Sequence, residues 1–421
     1  MSRPFLLVAA GTLLSAGIVG TLPAQVLSTT QWRADLEYVA SAILAHHPNP
    51  FHVISAEAFQ GRVEQLHERI AELEDHEIIV AMAVLVATLQ DGHTAIRGGT
   101  QFLTGQYPLR LEIFADGIFV RSAPDALRGT IGTRLLSIGN VRADEAFRRV
   151  ASMTSHDNEM TLKSRVPNSM TIPEILHALG ITPERDRARF VLADQEGREF
   201  ILDLAPLPFD EQLNWIEDPD GDARPLYLRY SNVNYRNEYL EGSRTLYVQY
   251  NRVRDAADET IADYFTRLSQ FVEETPLQRI VLDVRLNGGG NDYLNTSVVD
   301  WVRSSLPFVD GQFYVIIGRG TFSAAQKLVT RLEGTTDVIF VGEPTGGSPN
   351  HFGDAVTLRL PNSDLTLTVS SRYHNDAPGD GRRSIEPDLS APLSYEEFLS
   401  GRDPAMEVIL STRESGNLQG R

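Results

Sequence analysis

The chain has no cysteine and only two lysines, Lys163 and Lys327, among its 421 residues. Without cysteine there can be no disulfide, no thiolate metal site and no cysteine-linked lipid anchor. Positive charge is also scarce: the net charge is −18, and no basic cluster stands out. A nucleic-acid partner is not expected, because phosphate binding needs a basic patch. The ten histidines include no His-Glu-x-x-His spacing. His46 and His47 are adjacent, so their side chains point to different faces of a helix or strand. Neither a metal nor another cofactor is expected.

What is present is concentrated in three short segments. Gly320-Thr-Phe-Ser-Ala-Ala-Gln-Lys327 follows an apolar β-type run, Phe313-Tyr-Val-Ile-Ile-Gly318, and opens a helical spacing from Ala324 to Leu332. A serine at a strand-to-helix turn faces unpaired N–H groups and the positive end of the helix dipole. That setting suits a nucleophile whose reaction generates an oxyanion. The plainer alternative is that Ser323 or Thr321 only caps the helix. In the second segment, Leu282-Asp-Val-Arg-Leu-Asn-Gly-Gly-Gly-Asn291, a buried-strand pattern runs into three glycines. Exposed N–H groups of Gly288 or Gly289 could pair with that of Ala324 as an oxyanion hole. A simple glycine turn is the alternative, and the spacing does not suit a phosphate loop. In the third, Ala87-Thr-Leu-Gln-Asp-Gly-His-Thr94, an apolar helical stretch stops at Asp91-Gly92 and delivers His93, a candidate general base.

Taken together, these segments resemble the tail-specific (carboxyl-terminal processing) serine peptidase family, in particular its tricorn-core-like branch. The motifs are Asp91-Gly-His-Thr94, Asp283-x-Arg-x-Asn-x-Gly-Gly290, Thr321-Phe-Ser-Ala-Ala325, Val341-Gly-Glu-Pro-Thr-Gly-Gly347 and Ile385-Glu-Pro-Asp388, in family order. The resemblance implies a Ser323 nucleophile in a core related to the crotonase and Clp-protease spiral, acting on a peptide or protein substrate. Many members use a Ser–Lys dyad, but the stretch that would hold that lysine reads Gly342-Glu-Pro-Thr-Gly-Gly-Ser348. Lys327 is expected to be solvated or packed along its stem. The resemblance then points to His93 as base. The family places a third, acidic residue upstream of the Pro-Asp pair, where Asp380 is the first choice and Glu386 and Asp376 are alternatives. A rival reading is a non-catalytic binding protein for a hydrophobic ligand or peptide on the same scaffold. An unperturbed His93 would titrate near 6.5.

The expected fold class is α/β: a crotonase/Clp-protease-like βα spiral core preceded by a small helical domain and a β-rich, PDZ-like domain. Residues 1–24 read as a secretory signal, with Arg3, an apolar run and Leu22-Pro-Ala24 as a cleavage edge. The expected location is periplasmic or secreted, with a retained membrane anchor as the alternative. Residues 25–104 form the helical domain that carries His93. Residues 105–212 carry short β-type runs that resemble a PDZ-like module, with a long extra stretch from Thr154 to Arg189. Residues 213–243 read as an aromatic connector. From 244 to 421, strands alternate with helices as βα units on a largely parallel sheet. The sequence gives no oligomeric state.

Overall fold

The computed structural model describes residues 27–217, 224–309 and 312–412; residues 1–24, read above as a secretory signal, lie outside them. Its centre is a six-stranded sheet. In spatial order its strands are Leu389–Ser390, Ile339–Gly342, Phe313–Ile317, Arg279–Asp283, Thr245–Tyr250 and Tyr235–Leu240. All neighbours run parallel except the last pair. The inner strands are buried on both faces, which is why they read as unbroken apolar runs. One face, with Leu246, Val248, Ile280, Leu282 and Val315, packs on helices Ile261–Glu274, Asn295–Ser305 and Ala324–Thr335. The other, with Tyr247, Val281, Tyr314 and Ile316, packs on helix Pro404–Ser411. The last described segment forms two helices, Tyr395–Leu399 and Pro404–Ser411, interrupted at Gly401, where φ is 68°.

The expected connector is shared between two sheets. Tyr235–Leu240 is the antiparallel edge of the core sheet, and Trp215–Glu217 joins the inserted sheet beside Gly117–Pro124. The core segment is not self-contained either. Hairpin Val356–Arg359/Thr366–Val369 leaves it and pairs with Ala95–Arg97, just after His93. The cause is apolar surface. Helix Asp75–Ala87 is apolar nearly all round, and helices Thr29–His46 and Ala56–Arg69 cannot cover it alone. Leu360, Leu365, Leu367 and Val369 are buried against these helices, each contributing about 1.5–3 kcal/mol.

The β-rich insertion is an antiparallel sheet ordered Arg110–Phe114, Gly117–Pro124, Arg134–Ile138, Ala188–Ala193 and Glu199–Leu204. Its ends meet where Gln106 and Leu207 exchange two backbone hydrogen bonds of 2.8 Å. The extra stretch supplies helices Glu159–Ser169 and Pro173–Ala178.

Candidate active site

Ser323 is the last residue before helix Ala324–Thr335, and its backbone has φ 55° and ψ −124°. A non-glycine residue held there costs on the order of 1–3 kcal/mol, and such strain gathers at functional sites. Its side chain makes no capping hydrogen bond, so the capping alternative fails for Ser323. Thr321 does not cap the helix either. Its buried hydroxyl donates to Val284 O at 3.0 Å and accepts from Gly318 N at 3.1 Å, bracing the turn. Ser323 Oγ instead lies 3.0 Å from His93 Nε2, although 230 residues separate the two.

The motif around Asp283 is the frame of this turn. Arg285 binds Asp283 and, through two bonds of 2.9 and 3.0 Å, Asp403, while Tyr247 donates to Asp283 at 2.7 Å. Asn287 donates to Tyr250 O at 2.9 Å, and its carbonyl accepts the Phe322 N–H at 3.1 Å. A Cβ on Gly289 would stand 2.7 Å from Ser323 Cβ and 2.9 Å from Ala324 N, so the glycine turn does abut the serine. The expectation for Gly289 needs one correction: its N–H is bound to Asn287 Oδ1 at 2.9 Å. The N–H groups of Gly288 and Ala324 make no hydrogen bond among the described residues, and Gly288 has open space beside it.

His93 sits at the foot of the hairpin that the core sends back. Thr368 Oγ1 donates to its carbonyl at 2.8 Å, and its ring stacks on Phe322 at 4.6 Å and on His351 at 5.8 Å. Burial drives its pKa down, the neighbouring Asp91 resists, and Arg165 adds to the depression; the result is about 4. The ring is therefore neutral across the physiological range, and the ordinary value near 6.5 does not apply.

Asp380 is not brought to His93. Its carboxylate binds Arg382 at 2.7 Å, which in turn binds Glu333. Glu386 accepts from Ser384 at 2.8 Å, and Asp376 lies 3.8 Å from Lys327. No hydrogen bond or ion pair links any of the three to His93. The carboxylate that faces its ring is Asp91, with Oδ1 4.0 Å from Nδ1; that nitrogen is buried and makes no hydrogen bond. Burial alone would raise the Asp91 pKa, but hydrogen bonds, led by that from His47, hold it at about 2. His47 Nδ1 accepts the Asn49 N–H at 3.1 Å, which leaves Nε2 to donate to Asp91 at 3.2 Å. Sequence reasoning missed this role because nothing local marks His47 as a partner of a residue 44 positions away.

Lys327 is neither solvated nor merely stem-packed. Its Nζ pairs with Asp292 at 2.9 Å and donates to His374 Nδ1 at 3.1 Å. It lines a cleft of about 210 Å³ that opens beside Ser323, together with Tyr293, His351, Asp354 and Arg372. Among the described residues no cluster suits a metal ion.

A strained serine, a neutral imidazole in contact with it and two free N–H groups on adjoining turns form the arrangement of a serine hydrolase. No family model matches the chain, and no curated protein matches it. Solved structures do. Mature CPAF is similar with a TM-score of 0.63 at 11% identity, over 90% of this chain and 96% of that one. Mature CPAF complexed with lactacystin gives 0.63 at 10% identity, over 90% and 97%. The tricorn protease gives 0.44 at 14% identity, over 91% of this chain and 36% of that one. The chain thus has the fold of mature CPAF.

Proposed function

We propose that the protein is a serine peptidase of the tail-specific type, working through an acyl-enzyme. Ser323 Oγ attacks the carbonyl carbon of a peptide bond while His93 Nε2 takes its proton. The Ala324 and Gly288 N–H groups stabilise the oxyanion of the tetrahedral intermediate. The intermediate collapses, His93 returns the proton to the leaving amine, and water then hydrolyses the Ser323 ester by the same route. Asp91 takes the third role, because its charge favours the imidazolium that forms on His93. The observation that carries this reading is the Ser323 backbone at φ 55° with Oγ 3.0 Å from a neutral imidazole. Strain of that kind gathers at functional sites, and here it aims the hydroxyl at a base, which suits a nucleophile.

The chain is proposed to work outside the cytoplasm, on the strength of residues 1–24. Among the described residues no helix is long and apolar enough to cross a membrane. The inserted sheet ends on strand Glu199–Leu204, an edge that suits addition of an extended peptide end as in PDZ-like modules. The test is hydrolysis of a fluorogenic peptide library. The wild-type protein should turn substrates over, and Ser323→Ala should not while unfolding at the same temperature. Wild-type turnover by Ser323→Ala would remove the nucleophile assignment.

A further inference from the structure

The extra stretch of the β-rich insertion, which no peptide-binding role requires, reaches into the site from outside the core. Asp157 is buried, and its Oδ1 accepts the Gly92 N–H at 2.7 Å. Arg165, two turns along helix Glu159–Ser169, donates through Nη1 to the Gly92 carbonyl at 2.9 Å and to Ser155 O at 2.8 Å. The two side chains therefore hold both polar groups of Gly92, the residue that precedes His93. A Cβ on Gly92 would lie 2.8 Å from Phe322 Cζ and 2.9 Å from Asp157 Oδ1, so the turn is closed on both sides. The Arg165 guanidinium also lies over the Phe322 ring at 4.8 Å, and the other neighbour of that ring is the His93 imidazole at 4.6 Å. A cation, an aromatic ring and the base thus form one stack beside Ser323.

The insertion is itself anchored to the core at this point. Asn158 Nδ2 donates to Thr345 O at 3.0 Å and to Arg383 O at 2.6 Å, and Asn158 Oδ1 caps the helix that carries Arg165. Arg383 returns a hydrogen bond of 2.8 Å to Asp157 O. The glycine turn that ends the His93 segment is therefore not left to its own conformational freedom.

We propose that Asp157 and Arg165 are positioning residues for the base, gripping the Gly92 N–H and C=O so that the inserted domain sets where the His93 imidazole stands. The proposal rests on the Ser323/His93 reading above. A displacement of about 1 Å at a reacting group costs on the order of 10²-fold in rate, so loss of either grip should be felt at Ser323. Burial pushes the Asp157 carboxyl up to about 7, which makes asparagine a close mimic of its neutral form. Arg165 also opposes protonation of His93, and its removal should raise the imidazole pKa. The other groups that face that imidazole are Asp91 on its own turn, Arg97 on the next strand, and His351 and His374 on the strand pair 350–353 and 372–375.

The experiment is the rate of labelling by a fluorophosphonate, read as kinact and KI across pH 3 to 9, for the wild-type protein, Asp157→Ala, Asp157→Asn and Arg165→Met. Asp157→Ala and Arg165→Met should lose about 10- to 100-fold in kinact with KI unchanged. Asp157→Asn, which keeps the acceptor, should restore most of the loss. The acid limb of Arg165→Met should move to higher pH. If Asp157→Ala does not fold, the size-conserving pair Asp157→Asn and Arg165→Met decides. A wild-type limb and rate in Arg165→Met, or an Asp157→Asn protein that folds yet is as slow as Arg165→Met, overturns the proposal. A wild-type protein that does not label at all fails the peptidase reading, and the positioning role falls with it.

Discussion

Nucleophile and base are held in different ways. Ser323 is fixed by its neighbours in the core: Thr321 in the same turn, Asn287 and Gly289 at the end of the adjacent strand, and the N-terminus of its own helix. His93 is fixed from afar. Asp91 is held by His47, the His93 carbonyl by Thr368, and Gly92 by Asp157 and Arg165 of the insertion. The first arrangement joins the ends of two neighbouring core strands, while the second brings four distant segments together. Damage to the core side should therefore act through local geometry, and damage to the base side through contacts between domains.

The largest effect that separates the two sides concerns the acid. Asp91→Asn should lower turnover by about 10²- to 10⁴-fold, as loss of a triad acid does elsewhere. Asp380→Asn should stay within a few-fold of wild type, since its carboxylate serves Arg382 and Glu333. Steady-state kinetics of both variants on one peptide would decide, and the reverse order would return the third role to the 380 loop. On the core side, Gly289→Val must push its Cβ into Ser323 from a residue with φ 105°. Turnover should fall more than stability, as measured by kcat beside urea unfolding.

The pH profile gives a smaller and more diagnostic effect. With His93 at about 4, kcat/KM should be flat through neutral pH and fall as pH drops through that value, where the imidazole takes up a proton and ceases to be a base. The same depression has a stability consequence. Between about 6.5 and 4 the unfolded chain binds a proton at this histidine that the native state does not, so stability falls as pH falls through that window. A limb near 6.5 would mean an imidazole open to water. Smallest of all, Lys327→Met should keep most of the activity. It should cost about 1–3 kcal/mol in urea unfolding, because Asp292 loses one of its cationic partners.

The difference between the two regions also explains what the sequence disclosed. Ser323, the glycine turn and the parallel βα core were legible because strand, turn and helix signals are local and the strands are apolar without interruption. His93 was legible because a helix-ending Asp-Gly turn presents it. Asp380 was placed by a family motif and not by a local signal, while the carboxylate that faces His93, Asp91, owes its ionisation to His47 and to contacts that no local pattern marks. Asp157 and Arg165 were invisible, since no spacing or composition ties residues 157 and 165 to residue 92. The hairpin at 356–369 has an alternating pattern, but its partner strand Ala95–Arg97 left no mark in the sequence. Its apolar alternation says that it needs a cover and not that helices some 280 residues earlier supply one.

The account stands or falls on the Ser323–His93 pair, and mapping a fluorophosphonate adduct by peptide mass spectrometry tests it most directly. The prediction is a single phosphonylated peptide carrying Ser323 at pH 7, absent from Ser323→Ala, slowed at least about 10³-fold in His93→Ala, and forming more slowly as pH falls through about 4. An adduct on another residue, no adduct on the folded wild-type protein, or full labelling of His93→Ala would contradict it.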